Sequence, residues 1–151
     1  MKKVIIYTDG ACSGNPGIGG YGAILNYLGK EKIISGVFEK TTNNRMELFA
    51  CIQALRLLKE QCEVEIYTDS AYVSNAFLLN WISKWVINNF YEGTSKEIKN
   101  LDLWRELINL TNYHKVVWIK VKGHSDNINN NRCDKLATDE IKKYKKLTES
   151  E

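Results

Sequence analysis

Two short stretches of identical sequence each end in an aspartate. Ile6-Tyr7-Thr8-Asp9 is repeated 60 residues later as Ile66-Tyr67-Thr68-Asp69. Both runs are β-branched and aromatic, a composition typical of buried strands. If the two strands are parallel neighbours, both carboxylates lie at the sheet edge where open α/β sheets bind ligands. Each acid alone has an ordinary alternative, since Asp-Gly is a common hairpin pair and Asp69 could cap a helix. The matched pair favours a functional site.

Glu47 and Asp134 are two further candidate acids. Asn44 and Glu47 fit a capping box, and Asp134 is expected in the first turn of the last helix, where the helix dipole favours an acid. Carboxylates gathered closely raise one another's pKa unless a cation compensates. An all-oxygen ligand set favours Mg²⁺ or Mn²⁺ over zinc, and carboxylates shared by two such ions suit in-line displacement at a phosphate. The chain has no P-loop and no Gly-x-Gly-x-x-Gly after a strand, which argues against nucleotide-cradling folds.

His124 is a candidate proton carrier. It lies in a polar stretch, Gly123-His124-Ser125, ten residues before Asp134. Histidine titrates near neutral pH and serves in general acid–base catalysis. A lone histidine is more often an ordinary surface residue, so the spacing alone leaves both interpretations open.

The hydrophobic pattern predicts an α/β domain that brings these residues together. The predicted strands cover 4–7, 21–28, 32–39, 63–68 and 115–121, and the predicted helices 44–59, 70–79, 80–89, 101–112 and 132–144. Residues 28–30 form a hairpin turn, and the helix at 44–59 makes the fourth strand parallel to the first. We expect a five-stranded mixed sheet, three antiparallel strands followed by parallel ones, with helices on its faces.

The connecting segments are predicted from their glycine and polar content. Asp9 is expected where the first strand stops and a glycine-rich loop begins at Gly10. Residues 90–100 and 123–131 are predicted loops, and 145–151 are expected to fray.

Length and composition indicate one domain spanning 1–151. The 44% hydrophobic and 26% charged residues are ordinary, and the net charge of +3 permits a polyanionic partner without requiring one. The four cysteines are scattered rather than in metal-type pairs, and no signal peptide precedes them, which predicts reduced thiols in a cytoplasmic protein. No apolar run approaches the roughly 20 residues of a membrane span, so we expect no membrane association. We also expect the protein to be a monomer.

Six motifs together resemble type 1 ribonuclease H. They are TDG at 8–10, GNPG at 14–17, TTNNRMEL at 41–48, TDS at 68–70, KGH at 122–124 and NRCDKLA at 131–137. Their order and spacing match that family from about residue 3 to 141. The resemblance implies a five-stranded mixed sheet and Mg²⁺-dependent endonucleolytic cleavage of the RNA strand of an RNA·DNA hybrid. The implied products carry 3′-hydroxyl and 5′-phosphate ends.

The resemblance also implies roles for individual residues. Asp9, Glu47, Asp69 and Asp134 would hold two Mg²⁺ ions, with Mn²⁺ as an alternative and Asp9 bridging both, and His124 would act in proton transfer or product release. The positions that match hybrid-contacting residues fall into three groups. The first lies along the minor groove, where an RNA 2′-hydroxyl is sensed, and comprises Cys12, Gly14, Asn15, Asn43 and Asn44. The second, Thr42 and Asn100, would hold a DNA-strand phosphate, and the third, Trp81 and Trp85, lies on a helix that faces the DNA strand. Packing is the alternative role for both tryptophans.

The sequence departs from the well-known bacterial pattern in two places. Ala71 replaces a glutamine that often follows the TDS motif. The segment 84–99 is weakly basic, because its lysines are nearly balanced by acids: Lys84, Lys96 and Lys99 against Glu92 and Glu97. We therefore expect a shallower salt dependence of hybrid binding than in a lysine-rich relative. Two rival functions stay open, a DNA-processing nuclease on the same scaffold and a non-catalytic hybrid-binding module.

Overall fold

The computed structural model describes residues 1–92, 96–123 and 126–149. The strands within these ranges are β1 (Lys2–Gly14), β2 (Gly17–Tyr27), β3 (Lys30–Thr41), β4 (Cys62–Thr68), β5 (Tyr91–Glu92), β6 (Lys96–Glu97) and β7 (Lys115–Lys120). The helices are α1 (Asn43–Arg56), α2 (Ala71–Leu78), α3 (Trp81–Ile87), α4 (Leu101–Tyr113) and α5 (Ile128–Glu149). None of the helices in these ranges is long and apolar enough to cross a membrane.

The main sheet has five strands in the order β3-β2-β1-β4-β7. The first three strands pair antiparallel, whereas β4 pairs parallel with β1 and β7 pairs parallel with β4. The register sets Ile6 opposite Ile66 and Tyr7 opposite Tyr67, so the repeated sequences lie side by side. The predicted mixed sheet and the parallel placement of the two repeats are confirmed.

Helices cover both faces of the sheet. Successive strand residues point to opposite faces. On β2 the Cα of Gly19 faces Met46 of α1, whereas that of Gly20 faces Ala137 of α5. The side chains of Ile6, Ile66 and Leu48 are fully buried between the sheet and α1. Each such side chain stabilises the fold by about 1.5–3 kcal/mol.

The first strand does not stop before Asp9, contrary to the prediction. Its parallel pairing with β4 ends at Tyr7, but its antiparallel pairing with β2 continues through Asp9 to Gly14. The glycines predicted to form a loop are therefore partly strand residues, because β2 supplies hydrogen-bond partners on the other edge. Asp9 is held by a continuous strand and lies just beyond the end of β4.

The last helix begins earlier and ends later than predicted. Residues 128–131, expected in a loop, form its first turn because the Asn127 Oδ1 accepts the backbone N–H of Asn130 at 3.1 Å and so caps the helix. Residues 145–149, expected to fray, are helical as far as Glu149. In the predicted loop 90–100, the described residues include the short antiparallel pair β5–β6.

Candidate metal and nucleic-acid site

Three of the predicted acids converge at one edge of the sheet. Asp9, Glu47 and Asp69 each offer a carboxylate oxygen, and these oxygens all lie within 4.8 Å of one another. Asp9 and Glu47 are 6% and 5% exposed, and Asp69 is half-buried. Asp9 comes from β1, Glu47 from α1 and Asp69 from the residue that follows β4.

Glu47 reaches Asp9 because a glycine lies where α1 crosses β1. A Cβ at Gly10 would lie 2.5 Å from the backbone nitrogen of Glu47, closer than atoms can approach. The absence of that carbon lets the second turn of α1 rest on the strand. Glu47 is not part of a capping box, since the N-cap is Thr42, whose side chain accepts the N–H of Arg45.

Asp69 is likewise not a helix cap. Ser70 caps α2, with its hydroxyl oxygen accepting the N–H of Val73 at 3.2 Å. The Thr68 hydroxyl accepts the N–H of Ser70, which fixes the chain as it leaves β4. The acid between these two residues therefore contributes its carboxylate to the cluster rather than to the helix end.

Asp134 lines the same cavity as the other three acids. It lies in the second turn of α5, so the predicted first-turn position, and with it the dipole explanation, is wrong. α5 approaches the sheet closely at Gly22, the residue paired with Asp9, where a Cβ would lie 2.8 Å from the carbonyl oxygen of Cys133. A second glycine contact thus brings the fourth acid beside the first.

The cluster is electrostatically unfavourable without a cation. Burial, followed by the neighbouring Asp69 and Asp134, raises the pKa of Asp9 from 3.8 to about 8. Burial and Asp9 raise the pKa of Glu47 well above its ordinary value. The buried Glu47 Oε1 has no hydrogen-bond partner among the described residues. Crowded, unpaired carboxylate oxygens fit a hard divalent cation, which prefers oxygen ligands.

Asn130 is a structural contributor that the sequence analysis did not single out. Its Nδ2 donates to the carbonyl oxygens of Thr8 at 3.3 Å and Tyr67 at 3.0 Å. Thr8 directly precedes Asp9 and Tyr67 lies two residues before Asp69, so one amide joins β1 to β4 beside the acids. The Asn130 Oδ1 is buried and unpaired in the described part of the chain. In the sequence, only its position just before the NRCDKLA motif indicated that it belongs to the site.

Several predicted hybrid-contacting residues lie around the acids. Cys12, Asn43 and Asn44 line the cavity, which has a volume of about 480 Å³. Gly14 and Asn15 lie beyond it at the β1–β2 hairpin, where the Asn15 Oδ1 accepts the N–H of Asn43 at 3.2 Å. The structure therefore places these five residues on one continuous surface.

Asn100 is held by internal contacts at the rim of this surface. Its Oδ1 accepts from Arg45 at 3.2 Å, and its Nδ2 donates to the Tyr72 hydroxyl at 2.9 Å. Arg45 also forms an ion pair with Asp102. Because Arg45 follows Thr42 by three residues, the network joins the start of α1 to the start of α4. Thr42 and Asn100, predicted to hold one phosphate, are thus linked through Arg45.

The two tryptophans on α3 have packing roles in the structure. The Trp85 ring packs edge-on against Trp104, with centroids 4.9 Å apart, and Trp81 is partly buried against the same core. Both rings remain partly exposed, and their contact with the DNA strand stays a prediction.

His124 lies outside the described residues, so its predicted position relative to the acids is not assigned. Its neighbour Gly123 is described. A Cβ at Gly123 would lie 3.4 Å from the Asp69 Oδ2. The chain that follows β7 therefore runs beside the acid cluster, as β7 pairs with β4 and Val121 donates its N–H to Thr68.

Comparison with known proteins agrees with the fold. The family model for RNase H matches residues 1–142. A ribonuclease H from Acetivibrio thermocellus is 64% identical over 146 residues, which cover 97% of this chain and 99% of the relative. One from Caldicellulosiruptor saccharolyticus is 54% identical over 145 residues, covering 96% and 100%.

Solved structures are similar over nearly the same length. LC9-RNase H1, a type 1 RNase H with the type 2 active-site motif, superposes with a TM-score of 0.79 at 30% identity, covering 91% of this chain and 71% of the other. LC11-RNase H1, solved in complex with an RNA/DNA hybrid, gives a TM-score of 0.69 at 25% identity, covering 93% and 98%. The matching family model, the near-full-length relatives and the shared fold agree: this chain belongs to the RNase H family.

Proposed function

We propose that this protein is an endoribonuclease that hydrolyses the RNA strand of RNA·DNA hybrids with two divalent cations, giving 3′-hydroxyl and 5′-phosphate ends. The observation that carries the proposal is the convergence of Asp9, Glu47 and Asp69 within 4.8 Å, with Asp134 lining the same cavity. Membership of the RNase H family supports nuclease activity. The related LC11-RNase H1 binds an RNA/DNA hybrid in its crystal structure, which supports the substrate class.

The four acids are the proposed ligands for Mg²⁺, with Mn²⁺ as an alternative ion. Asp9 is the proposed bridging ligand, because its carboxylate is buried and the neighbouring acids Asp69, Asp134 and Glu47 all interact with it. Bound divalent cations activate water as a nucleophile and stabilise the charge that develops on the phosphate. His124 is proposed to carry a proton or to assist product release.

Selection of a hybrid is proposed to rest on the surface beside the acids. Cys12, Gly14, Asn15, Asn43 and Asn44 would contact the minor groove, where the 2′-hydroxyl distinguishes RNA from DNA. Thr42 and Asn100 would hold a DNA-strand phosphate, and Trp81 and Trp85 would face that strand. The Arg45 link between Thr42 and Asn100 supports a joint role, since it keeps the two in one arrangement. We further propose that the protein acts as a cytoplasmic monomer.

The deciding experiment compares four labelled substrates with and without Mg²⁺: an RNA·DNA hybrid, single-stranded RNA, double-stranded RNA and duplex DNA. We expect metal-dependent cleavage of the hybrid alone, and no cleavage by Asp9→Asn. Glu39→Gln, an amide substitution at an exposed position on β3, serves as the matched control and should cleave normally. Cleavage of duplex DNA would favour a DNA-processing nuclease. Hybrid binding without cleavage would favour a non-catalytic module.

A further inference from the structure

The C-terminal part of α5 carries a dense group of lysines. Lys142, Lys143, Lys145 and Lys146 fall within five residues, and all but the half-buried Lys145 are exposed. None of the four forms a salt bridge with any acid in the described ranges. We call these four residues the α5 lysine cluster. Surface lysines commonly form a solvated helix face without a binding role. The position of the cluster is therefore needed to argue that it binds a ligand.

Nearby acids do not neutralise the cluster. Asp139, one turn before it, is paired with Lys135 at 2.7 Å, although its pKa is also lowered to a small extent by the charge of Lys142. Glu140 accepts a hydrogen bond from the Ser35 hydroxyl at 3.1 Å, which directs it toward β3. Glu149 follows the cluster on the same helix and is the remaining described acid of α5 beyond residue 140. The four positive charges therefore exceed the nearby negative charge, because Asp139 and Glu140 are hydrogen-bonded to other residues and only Glu149 follows the cluster among the described residues.

The cluster lies beside the surface proposed to bind the hybrid. The Lys145 Nζ donates to the Ser13 Oγ at the end of β1, which anchors the last turns of α5 to the β1–β2 hairpin. On the other side of that hairpin, Asn15 accepts the N–H of Asn43, a residue that lines the cavity. The hairpin thus has the cavity on one side and the α5 lysine cluster on the other.

We propose that Lys142, Lys143 and Lys146 bind backbone phosphates of the hybrid beyond the catalytic cavity, on the α5 side of the β1–β2 hairpin. This inference rests on the proposed function, since it assumes that the hybrid lies across that hairpin. From Lys142 to Lys146 the helix rises about 6 Å. A duplex carries one phosphate charge per about 1.7 Å of its axis, so three lysines match the charge of a comparable length.

The segment on the other side of the cavity is much less basic than the α5 lysine cluster. The segment from Trp81 to Asn100, on the other side of the cavity, holds three lysines against two glutamates. A protein that is weakly basic there and strongly basic on α5 would hold the backbone mainly from the α5 side. The salt dependence of binding would then originate in α5 rather than in the 84–99 segment.

The test uses the full chain with Asp9→Asn, so that binding is measured without cleavage. The triple variant Lys142→Gln/Lys143→Gln/Lys146→Gln is compared with Lys30→Gln/Lys59→Gln/Lys115→Gln, which removes the same charge. Lys30 and Lys115 begin strands at the end of the sheet opposite the acids, and Lys59 follows α1 there. Lys145 is retained because it anchors the helix. Thermal unfolding checks that each variant folds, and an arginine triple at 142, 143 and 146 restores the charge.

Affinity for a hybrid of about 24 base pairs and one of about 8 is measured over a salt series. We expect the α5 glutamine triple to lower the log–log salt slope by about 1 to 3 on the long hybrid, because each phosphate that the protein no longer neutralises lowers the slope by about 0.9. The slope should change less on the short hybrid, and the arginine and remote triples should keep the slope of the parent. An unchanged slope, or an equal loss in the remote triple, overturns the inference. Failure of the wild-type protein to cleave a hybrid would instead overturn the proposed function, so the two failures are distinguishable.

Discussion

Replacing Asp9 with asparagine should stabilise the metal-free protein while it abolishes cleavage. The pKa of Asp9 is raised from 3.8 to about 8 by burial and by Asp69. At pH 7 the unfolded chain carries Asp9 ionised, whereas the folded protein holds it mostly protonated. That difference costs the fold about 4 kcal/mol. Asparagine is neutral in both states and removes this cost, so we expect the free energy of unfolding to rise by up to that amount.

The free energy of unfolding of the wild type should fall as the pH rises, because of Asp9. Below the unfolded value of 3.8 both states are protonated, and Asp9 contributes no difference. As pH rises from there to about 8, the unfolded state has lost its proton and the folded state has not, so wild-type stability falls. Above about 8 the loss is complete. The advantage of Asp9→Asn should therefore be small near pH 4 and largest above neutrality.

The assay is denaturant unfolding in a metal chelator at several pH values, followed by a Mg²⁺ titration. Glu39→Gln is the control, because an exposed glutamate on β3 should change stability little at any pH. Saturating Mg²⁺ should stabilise the wild type, by about 2.7 kcal/mol at a hundred times the dissociation constant, and Asp9→Asn much less. The reasoning is refuted if Asp9→Asn is no more stable than the wild type at pH 7 in chelator.

Three further predictions concern residues that shape the site or the fold. Gly10→Ala should lower the free energy of unfolding by about 1–3 kcal/mol and weaken Mg²⁺ binding, because the added carbon would push α1 and Glu47 away from the strand. A wild-type Mg²⁺ affinity in calorimetric titration, together with a wild-type free energy of unfolding, would contradict this. His114 accepts the N–H of Cys62, and burial lowers the pKa of its imidazole. Its contribution to stability is therefore complete above about pH 6.5 and is lost as the pH falls below that value. The free energy of unfolding should differ less between pH 7.5 and pH 5 in His114→Gln than in the wild type. Asn130→Ala leaves the carbonyl oxygens of Thr8 and Tyr67 without their amide donor and should lower the free energy of unfolding by about 1–3 kcal/mol. For hybrid cleavage, kcat should change by a larger factor than KM.

The sequence was most informative where a local pattern determines a long-range contact. The repeated Ile-Tyr-Thr-Asp stretches suggested that β1 and β4 are neighbours with matching residues, and the register sets Ile6 opposite Ile66. The crossover helix predicted the direction of β4, because a helix between two strands of one sheet returns the chain to the end where the first strand began, so that the two strands run parallel. The side-by-side placement of Asp9 and Asp69 was therefore predictable, although only Asp69 lies at the end of its strand.

Other features depend on contacts that no local pattern encodes. The early start of α5 depends on a cap by Asn127 within an asparagine-rich run, a composition that by itself predicts a loop. The burial of Glu47 depends on the closeness of α1 to Gly10, which involves residues 37 positions apart in sequence. The continuation of β1 past Asp9 requires β2 as a partner. These features appear only when the elements pack.

Asn130 and Asp134 both belong to α5, which follows the other described helices in the chain, and this order has a consequence for the newborn chain. A ribosome that has made β1, α1 and β4 has produced three of the acids, but neither the fourth nor the amide that joins β1 to β4. We therefore expect a nascent chain to remain inert toward nucleic acid until α5 has emerged and docked. Completion of the fold and the ability to cleave a hybrid would then be reached in the same step of synthesis.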